Sequence, residues 1–326
     1  MMKRNAKTSQ QNTDAPKRGK KSGLKRTLPL VAVLLIFLIG VGVLAYPLIS
    51  SMVNNAENLR GAKDYVQKAA ELDTSSIDAM LADAQRYNDS LHRVILTDPF
   101  DEASYGLIGE NYTECLNMDD KGLIGYVEIP KIDVYLPIYH GTSLDVLSIG
   151  AGHLEHTSLP IGGPGTHCVI SAHSAWPGQT FFDYLESLTY GDEFYIHVLD
   201  KVLKYEVDDI NVVLPDDTSK LYITDGEDYV TLLTCTPYTV NTHRLLVRGE
   251  RVPDDPDIVV EDDGSKSVNK TVKAVNNGRD SMYVLGYKLS YVTIIIGIGV
   301  FLLVVAAAVV LAVRRGRSRK NKGGER

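Results

Sequence analysis

Cysteine is scarce in this sequence, which has only Cys115, Cys168 and Cys235 among its 326 residues. An exported protein that depended on disulfides would usually carry more cysteines, in even number. A single Cys115–Cys168 bridge stays open, and the third thiol is free in either case. The small number of cysteines therefore argues against a fold that depends on disulfide bonds.

Charge is absent from two long runs, residues 27–53 and residues 291–313. The second run has 23 residues, which as a helix reach ~34 Å, enough to cross a bilayer. Basic residues lie on the outer side of both runs, before the first and after the second. By the positive-inside rule, both termini are expected in the cytoplasm and the middle of the chain outside the cell membrane.

The exported middle is strongly acidic. Residues 1–28 carry nine Lys/Arg and one Asp, and residues 314–326 carry seven Lys/Arg and one Glu, which give +8 and +6. Since the whole chain is −7, the residues between the tails carry −21. This charge argues against nucleic acid and fits cationic partners such as lysine-bearing proteins.

Each uncharged run has an alternative interpretation. The first could be a signal peptide cut after Ala45, but Pro47 follows closely and the apolar run continues past that site. The second could belong to a cell-wall sorting tail, but no LPxTG-like pentapeptide precedes Tyr291. Two permanent membrane anchors are therefore expected.

The composition between the anchors predicts helices first and strands later. Good helix formers before Asp73 and capping residues at Asp73, Thr74 and Ser75 predict two short amphipathic helices, with a mere stalk as the alternative. The Asp98-Pro99 pair predicts an exposed loop. Short strand-like runs punctuated by Gly, Pro and Asp then indicate a closed or nearly closed β-barrel, with an internal helix at residues 181–188.

The predicted organisation has eight parts, which are a basic cytoplasmic tail (1–28), a transmembrane helix (29–51), a helical region (52–95), a loop (96–106), a β-barrel (120–252), an acidic flexible linker (253–290), a second transmembrane helix (291–313) and a second basic tail (314–326).

The chemistry is expected in residues 229–249, where two strands are joined by a turn-rich loop. Cys235 ends the first strand because Pro237 cannot continue the ladder, and Arg244 opens the second strand. An arginine beside a rim thiol should lower its pKa below the free-cysteine value of ~8.5, and the thiolate is the competent nucleophile. The alternative is a buried structural cysteine.

A cysteine nucleophile needs a proton-transfer partner, and histidine fits that role. Of eight histidines, His243 should face away from Cys235. His153 and His156 lie three apart without a third ligand, so no metal site or other cofactor is predicted. His173 follows an alternating strand among small neighbours and is modestly preferred.

Two segments carry a family resemblance. TLLTCTPYTVNTHRLLVRGER resembles the active-site segment of sortases, in which TLxTC is followed by an arginine on the next strand. Its form is similar to the class C, pilin-polymerising branch of Gram-positive bacteria. GHLEHTSLPIGGPGTHCVISAHS resembles the histidine segment, so the likeness covers residues 124–252. It implies a mainly β fold, a sortase-type closed barrel with N-terminal helices between two transmembrane helices.

The resemblance implies roles for single residues. Cys235 is the expected nucleophile, His173 the general acid/base, and Arg244 the stabiliser of the oxyanion or substrate. The family's histidine is usually followed by Arg-Gly, whereas here Ser174-Ala175-Trp176 follow. This departure changes the residues that are available for substrate or partner contacts near His173.

A lid is also implied. Asp98, Pro99 and Phe100 match the segment that class C enzymes lay over their own site. There the aspartate is expected to pair with Arg244 while the aromatic ring covers Cys235.

The implied function is a cysteine transpeptidase that cleaves an LPxTG-type signal between Thr and Gly and joins it to a pilin lysine. The runner-up is a housekeeping sortase that attaches surface proteins to peptidoglycan. From another class, a non-catalytic membrane-tethered adhesin or sensor remains open. A papain-like hydrolase would need its cysteine on a helix before the histidine, which is not the order here.

Overall fold

The computed structural model describes residues 24–91, 98–101, 110–119, 121–252, 281–284 and 287–290, with single positions at 297, 299 and 301. Residues 1–48 and residues 49–326 form two compact units. Both basic tails lie wholly or mostly outside the described residues, as do most of the linker and of the second predicted span. Among the described residues, no helix qualifies by length and hydropathy as a membrane span. Both spans stay predictions.

Two helices precede the barrel, α1 (Leu24–Glu71) and α2 (Thr74–Ser90). The predicted break between them is confirmed, since the Asp73 carboxylate caps α2 by accepting a hydrogen bond from the Ser76 backbone N–H at 2.7 Å. The first helix is longer than expected, because it continues without a break from the first uncharged run into residues 52–71, where Ala, Glu and Lys are frequent and proline is absent.

Both helices pack on the barrel and are more than a stalk. Tyr65 of α1 is fully buried, and its hydroxyl donates to the Ile124 carbonyl at 2.8 Å and accepts from the Leu199 N–H at 2.6 Å. Asn88 of α2 exchanges two hydrogen bonds with the backbone of Leu159. The stalk alternative is therefore wrong for the described residues.

Eight strands close into a barrel in the order β1-β2-β3-β4-β7-β8-β6-β5. Only the pairs β2–β3 and β4–β7 of this barrel are parallel. The strands are β1 (Leu123–Ile129), β2 (Val134–His140), β3 (Ala151–His153), β4 (Thr166–Ser171), β5 (Glu193–Val198), β6 (Lys201–Val213), β7 (Asp228–Thr236) and β8 (His243–Arg251). Short helices α3 (Glu110–Glu114) and α4 (Leu144–Leu147) and 3-10 turns at Pro130–Ile132 and Leu185–Ser187 complete the described barrel domain. The predicted mainly β, closed-barrel fold is confirmed.

Strand alternation decides which side chains reach the site. Val230 and Leu232 of β7 belong to the main core, whereas Leu233 packs in a second cluster on the other face together with Leu246 of β8. Cys235 follows Leu233 by two positions and therefore shares that face. The candidate site therefore lies on the face of the sheet that carries this second apolar cluster.

Two segments differ from expectation. The predicted helix at residues 181–188 is only the 3-10 turn Leu185–Ser187, because the N–H groups of Leu185, Ser187 and Leu188 bond to the carbonyls three residues before them rather than four. Inside the predicted flexible linker, β9 (Ser281–Val284) and β10 (Tyr287–Ser290) pair as an antiparallel hairpin.

Candidate active site

Cys235 and Arg244 lie directly opposite each other on neighbouring strands. They are register partners in the antiparallel β7–β8 pair, a position that brings Cβ atoms to within about 4.5–5.5 Å. Both are largely buried, with 8% and 9% of their surface exposed. The hairpin therefore brings a thiol and a guanidinium together, as the sequence predicts.

Arg244 is paired with Asp98 of the segment before the barrel. Its Nε donates to Oδ1 at 2.8 Å and its Nη2 to Oδ2 at 2.6 Å. The remaining Nη1 donates to the carbonyls of Asn241 and His243. Since two parallel bonds fix both position and orientation, the carboxylate occupies the guanidinium edge that an incoming anionic group would need.

Phe100 extends the same contact. Its ring lies 5.0 Å from the Arg244 guanidinium carbon and 5.4 Å from the centre of the His173 ring, and it packs on the second apolar cluster. Pro99 is buried, so the expectation of an exposed loop is wrong at this point. We call Asp98, Pro99, Phe100 and Asp101 the lid segment. Whether the Phe100 ring also covers Cys235 stays a prediction.

His173 is brought to Cys235 by the parallel pairing of β4 with β7. Ser171 is in register with Leu233, so two residues further along His173 comes level with Cys235. Hydrogen bonds hold this alignment, since Thr234 Oγ1 donates to the Ala172 carbonyl and Ser174 Oγ to the Cys235 carbonyl, both at 2.7 Å.

Two aromatic rings contact the His173 ring. Trp176 stacks on it with 4.5 Å between ring centres and 8° between planes, and Phe100 lies against it at 5.4 Å. The buried Nε2 atom has no hydrogen-bond partner among the residues that the structure describes. The imidazole is therefore held by ring contacts rather than by a hydrogen-bonding carboxylate or amide.

The thiol pKa is opposite to expectation. Burial raises the pKa of Cys235 to about 11, Arg244 acts to lower it, and Asp98 opposes Arg244. Burial likewise lowers the pKa of His173. At neutral pH the site under the lid segment thus holds a neutral thiol and a neutral imidazole. The predicted lowering fails because burial and the Asp98 charge outweigh the adjacent arginine.

Cys115, Cys168 and His153 are buried in the barrel domain. All three cysteines are free, so the Cys115–Cys168 bridge is not formed. His153 is fully buried, with its ring nitrogens bonded to the Tyr112 hydroxyl and the Ser158 carbonyl. No group of three possible metal ligands occurs in the described part of the chain.

The sequence interpretation missed the role of the residues after His173. Ser174 bonds to the Cys235 carbonyl, Trp176 stacks on the His173 ring, and Asp183 accepts from the Ala175 N–H in the loop after His173. The signal available was the Trp-Pro-Gly-Gln run after His173, because Pro-Gly in the middle of four residues is typical of a tight turn.

Comparison with known proteins agrees with this geometry. Residues 127–252 match the model of the sortase domain. Sortase A of Streptococcus agalactiae serotype III is 30% identical over 39% of this chain and 52% of its own length, and sortase D of Bacillus subtilis is 30% identical over 39% and 63%. The chain thus spans only about half to three fifths of these curated relatives.

Solved structures match over a longer stretch. Sortase C-1 of Streptococcus pneumoniae is 46% identical, with a TM-score of 0.56 over 60% of this chain and 100% of that chain. A pilus-related sortase C of Group B Streptococcus is 49% identical, with a TM-score of 0.55 over 59% and 97%.

The fold, the juxtaposed cysteine, histidine and arginine, and these matches define the class, and the chain belongs to the sortase family of cysteine transpeptidases. Within that family its structural neighbours are pilus-related class C sortases, at 40–49% identity, and the chain is recognised as a member of that branch.

Proposed function

We propose that this chain is a transpeptidase that joins pilin subunits through isopeptide bonds. The observation that carries the proposal is the bidentate contact of Asp98 with Arg244 across 146 residues of sequence. A sortase-type site occupied by its own chain suits an enzyme that must keep water out until a protein substrate arrives. The identity to class C structures supports the same choice.

The first half-reaction is acyl transfer to sulfur. When the site is open, the Cys235 thiol gives its proton to His173, and the sulfur attacks the threonine carbonyl of an LPxTG-type signal. Arg244 stabilises the oxyanion that forms. As the Thr–Gly bond breaks, His173 returns its proton to the leaving glycine amine, and a thioester remains on Cys235.

The second half-reaction releases the enzyme. A lysine amine of another pilin attacks the thioester carbonyl and loses a proton to His173. The carbon–sulfur bond breaks, an isopeptide bond forms, and the proton returns to Cys235. The acidic charge of the middle of the chain favours approach of a lysine-bearing surface.

The proposed setting is the cell membrane. The uncharged runs at residues 29–51 and 291–313, with basic tails outside them, favour two membrane anchors and an extracellular catalytic domain. The substrates would then be LPxTG-bearing pilin or surface proteins on the same face.

The test is to incubate the full-length chain in detergent with an LPxTG peptide and a lysine-bearing pilin domain, and to map products by mass spectrometry. We expect a peptide–lysine isopeptide bond with wild type and none with Cys235→Ala. Cys168→Ala is the matched control, because Cys168 lies in the core and should leave the product unchanged.

Other outcomes would identify the alternatives. Transfer to a peptidoglycan-type amine but not to pilin lysine would favour the housekeeping sortase. No cleavage under any condition that exposes Cys235 to a thiol reagent would favour a non-catalytic adhesin or sensor.

A further inference from the structure

The imidazole of His173 has a neighbour that the proposed reaction does not use. The indole of Trp176 stacks on it nearly parallel, at 4.5 Å between centres. A general base in a nucleophilic site is normally oriented by a third group through a hydrogen bond. The buried Nε2 of His173 has no such partner within the described residues, so ring contacts with Trp176 and Phe100 orient it, and the Trp176 contact is the nearly parallel one.

A tight turn presents this indole. The Gln179 N–H donates to the Trp176 carbonyl at 3.2 Å, and Pro177 and Gly178 occupy the two central positions. Gly178 has φ +75°, which the third residue of a type II turn requires and which L side chains rarely adopt. The backbone of Trp176 is therefore set by local sequence, independently of the lid segment.

The turn is also held from two sides. The Ala175 N–H donates to Asp183 Oδ1 at 3.0 Å. The Gly178 carbonyl accepts from Ser50 Oγ at 3.1 Å and from Asn54 Nδ2 at 2.5 Å, both on α1. A loop fixed at both ends of the turn can keep a side chain in one rotamer against the histidine.

We propose that Trp176 is the positioning residue of His173, with its stacked indole in the orienting role that a hydrogen-bonded carboxylate or amide has in other cysteine and serine sites. The inference rests on the proposed function for its catalytic meaning. This role would explain why Ser174-Ala175-Trp176 follow the histidine here instead of Arg-Gly.

The two rings on His173 differ in what they can do during turnover. Phe100 belongs to the lid segment and must leave when Asp98 releases Arg244. Trp176 belongs to a turn anchored on the barrel and α1, so it stays in place.

An activity test separates positioning from mere packing. Trp176→Phe keeps a stacking ring and should keep kcat for LPxTG-peptide cleavage within about threefold, whereas Trp176→Ala should lose about tenfold or more in kcat with little change in KM. The acid limb of the pH profile should also move upward in Trp176→Ala, because burial under the rings lowers the pKa of His173. Equal kcat and an unshifted profile in the alanine variant would overturn the proposal.

A second measurement does not depend on activity or on a variant at Trp176. Trp176 is the only tryptophan of the chain, and a protonated imidazole stacked on an excited indole quenches its emission. The emission of full-length wild type in detergent should fall as pH drops through the range in which His173 gains its proton. In His173→Gln this transition should be absent.

Identical titrations in wild type and His173→Gln would contradict the stacked pair in solution. If the pair titrates as expected but no wild-type product forms, the proposed transpeptidation fails while the stacking stands. The two failures are thus distinguishable.

Discussion

Two of the three arginines of strand β8, Arg244 and Arg248, lie four residues apart and make similar sets of contacts. Arg244 donates through Nε and Nη2 to Asp98 and lies 5.0 Å from the Phe100 ring centre. Arg248 donates through Nε and Nη2 to Asp208 and lies 4.0 Å from the Tyr229 ring centre.

The two sets differ in where the partners come from. Asp208 and Tyr229 lie on β6 and β7, the barrel neighbours of β8. Asp98 and Phe100 lie on the lid segment, which belongs to none of the described strands. The same chemistry is therefore built within the barrel strands in one place and from a segment outside the strands in the other, and the second set is the one opposite Cys235.

The sharpest test of this difference is to remove each arginine in turn. Arg244→Ala should lower kcat/KM for LPxTG-peptide cleavage by about 10²–10³, the usual cost of losing one oxyanion donor. Arg248→Ala should leave kcat/KM within about threefold, because its guanidinium is engaged within the barrel wall. Steady-state kinetics on folded protein, checked by circular dichroism, measures both. Equal losses would remove the functional distinction between the two sets.

Sequence alone predicted the local half of this site. Cys235 and Arg244 are nine residues apart in one hairpin, so strand alternation and the Pro237 stop were enough to place them together. His173 could not be placed by such reasoning, because it depends on the parallel pairing of β4 with β7, which sequence separation hides. Its assignment came instead from the family resemblance.

The same limit applies to electrostatics. The adjacency of Cys235 to Arg244 predicted a lowered thiol pKa. Burial raises this pKa instead, and that burial arises only once distant parts of the chain pack around Cys235. Asp98, which comes from outside the barrel, raises the pKa further. The Asp208 contact was equally hidden, because it uses the register shift between Val207 and Asp209 that turns Asp208 toward Arg248.

Thiol reactivity gives the next largest expected effect. In Asp98→Ala, one cause of the raised Cys235 pKa is removed and the lid segment loses its anchor, so the pKa should fall from about 11. A lower pKa means more thiolate at pH 8, and each unit of pKa gives about tenfold more. Alkylation of Cys235 should therefore be about tenfold faster, with a rate that levels off at lower pH than in wild type.

Asp208→Ala is the matched control for this measurement and should alkylate Cys235 at the wild-type rate. Alkylation is followed by mass spectrometry of the peptide that contains Cys235. An unchanged rate in Asp98→Ala would mean that the lid segment does not limit access to the thiol.

The smallest expected effect is on the free energy of unfolding, which Asp208→Ala should lower more than Asp98→Ala. Asp208 forms a charge-assisted contact within the barrel, with side chains 23–24% exposed, so Asp208→Ala should lower the free energy of unfolding by ~1 kcal/mol. Asp98→Ala should lower the free energy of unfolding by less. Its partner Arg244 keeps its hydrogen bonds to the carbonyls of Asn241 and His243, and water can reach the guanidinium once the site is open. Urea denaturation of both variants measures the difference. A larger loss in Asp98→Ala would show that the lid segment is a structural part of the barrel rather than a separable cover.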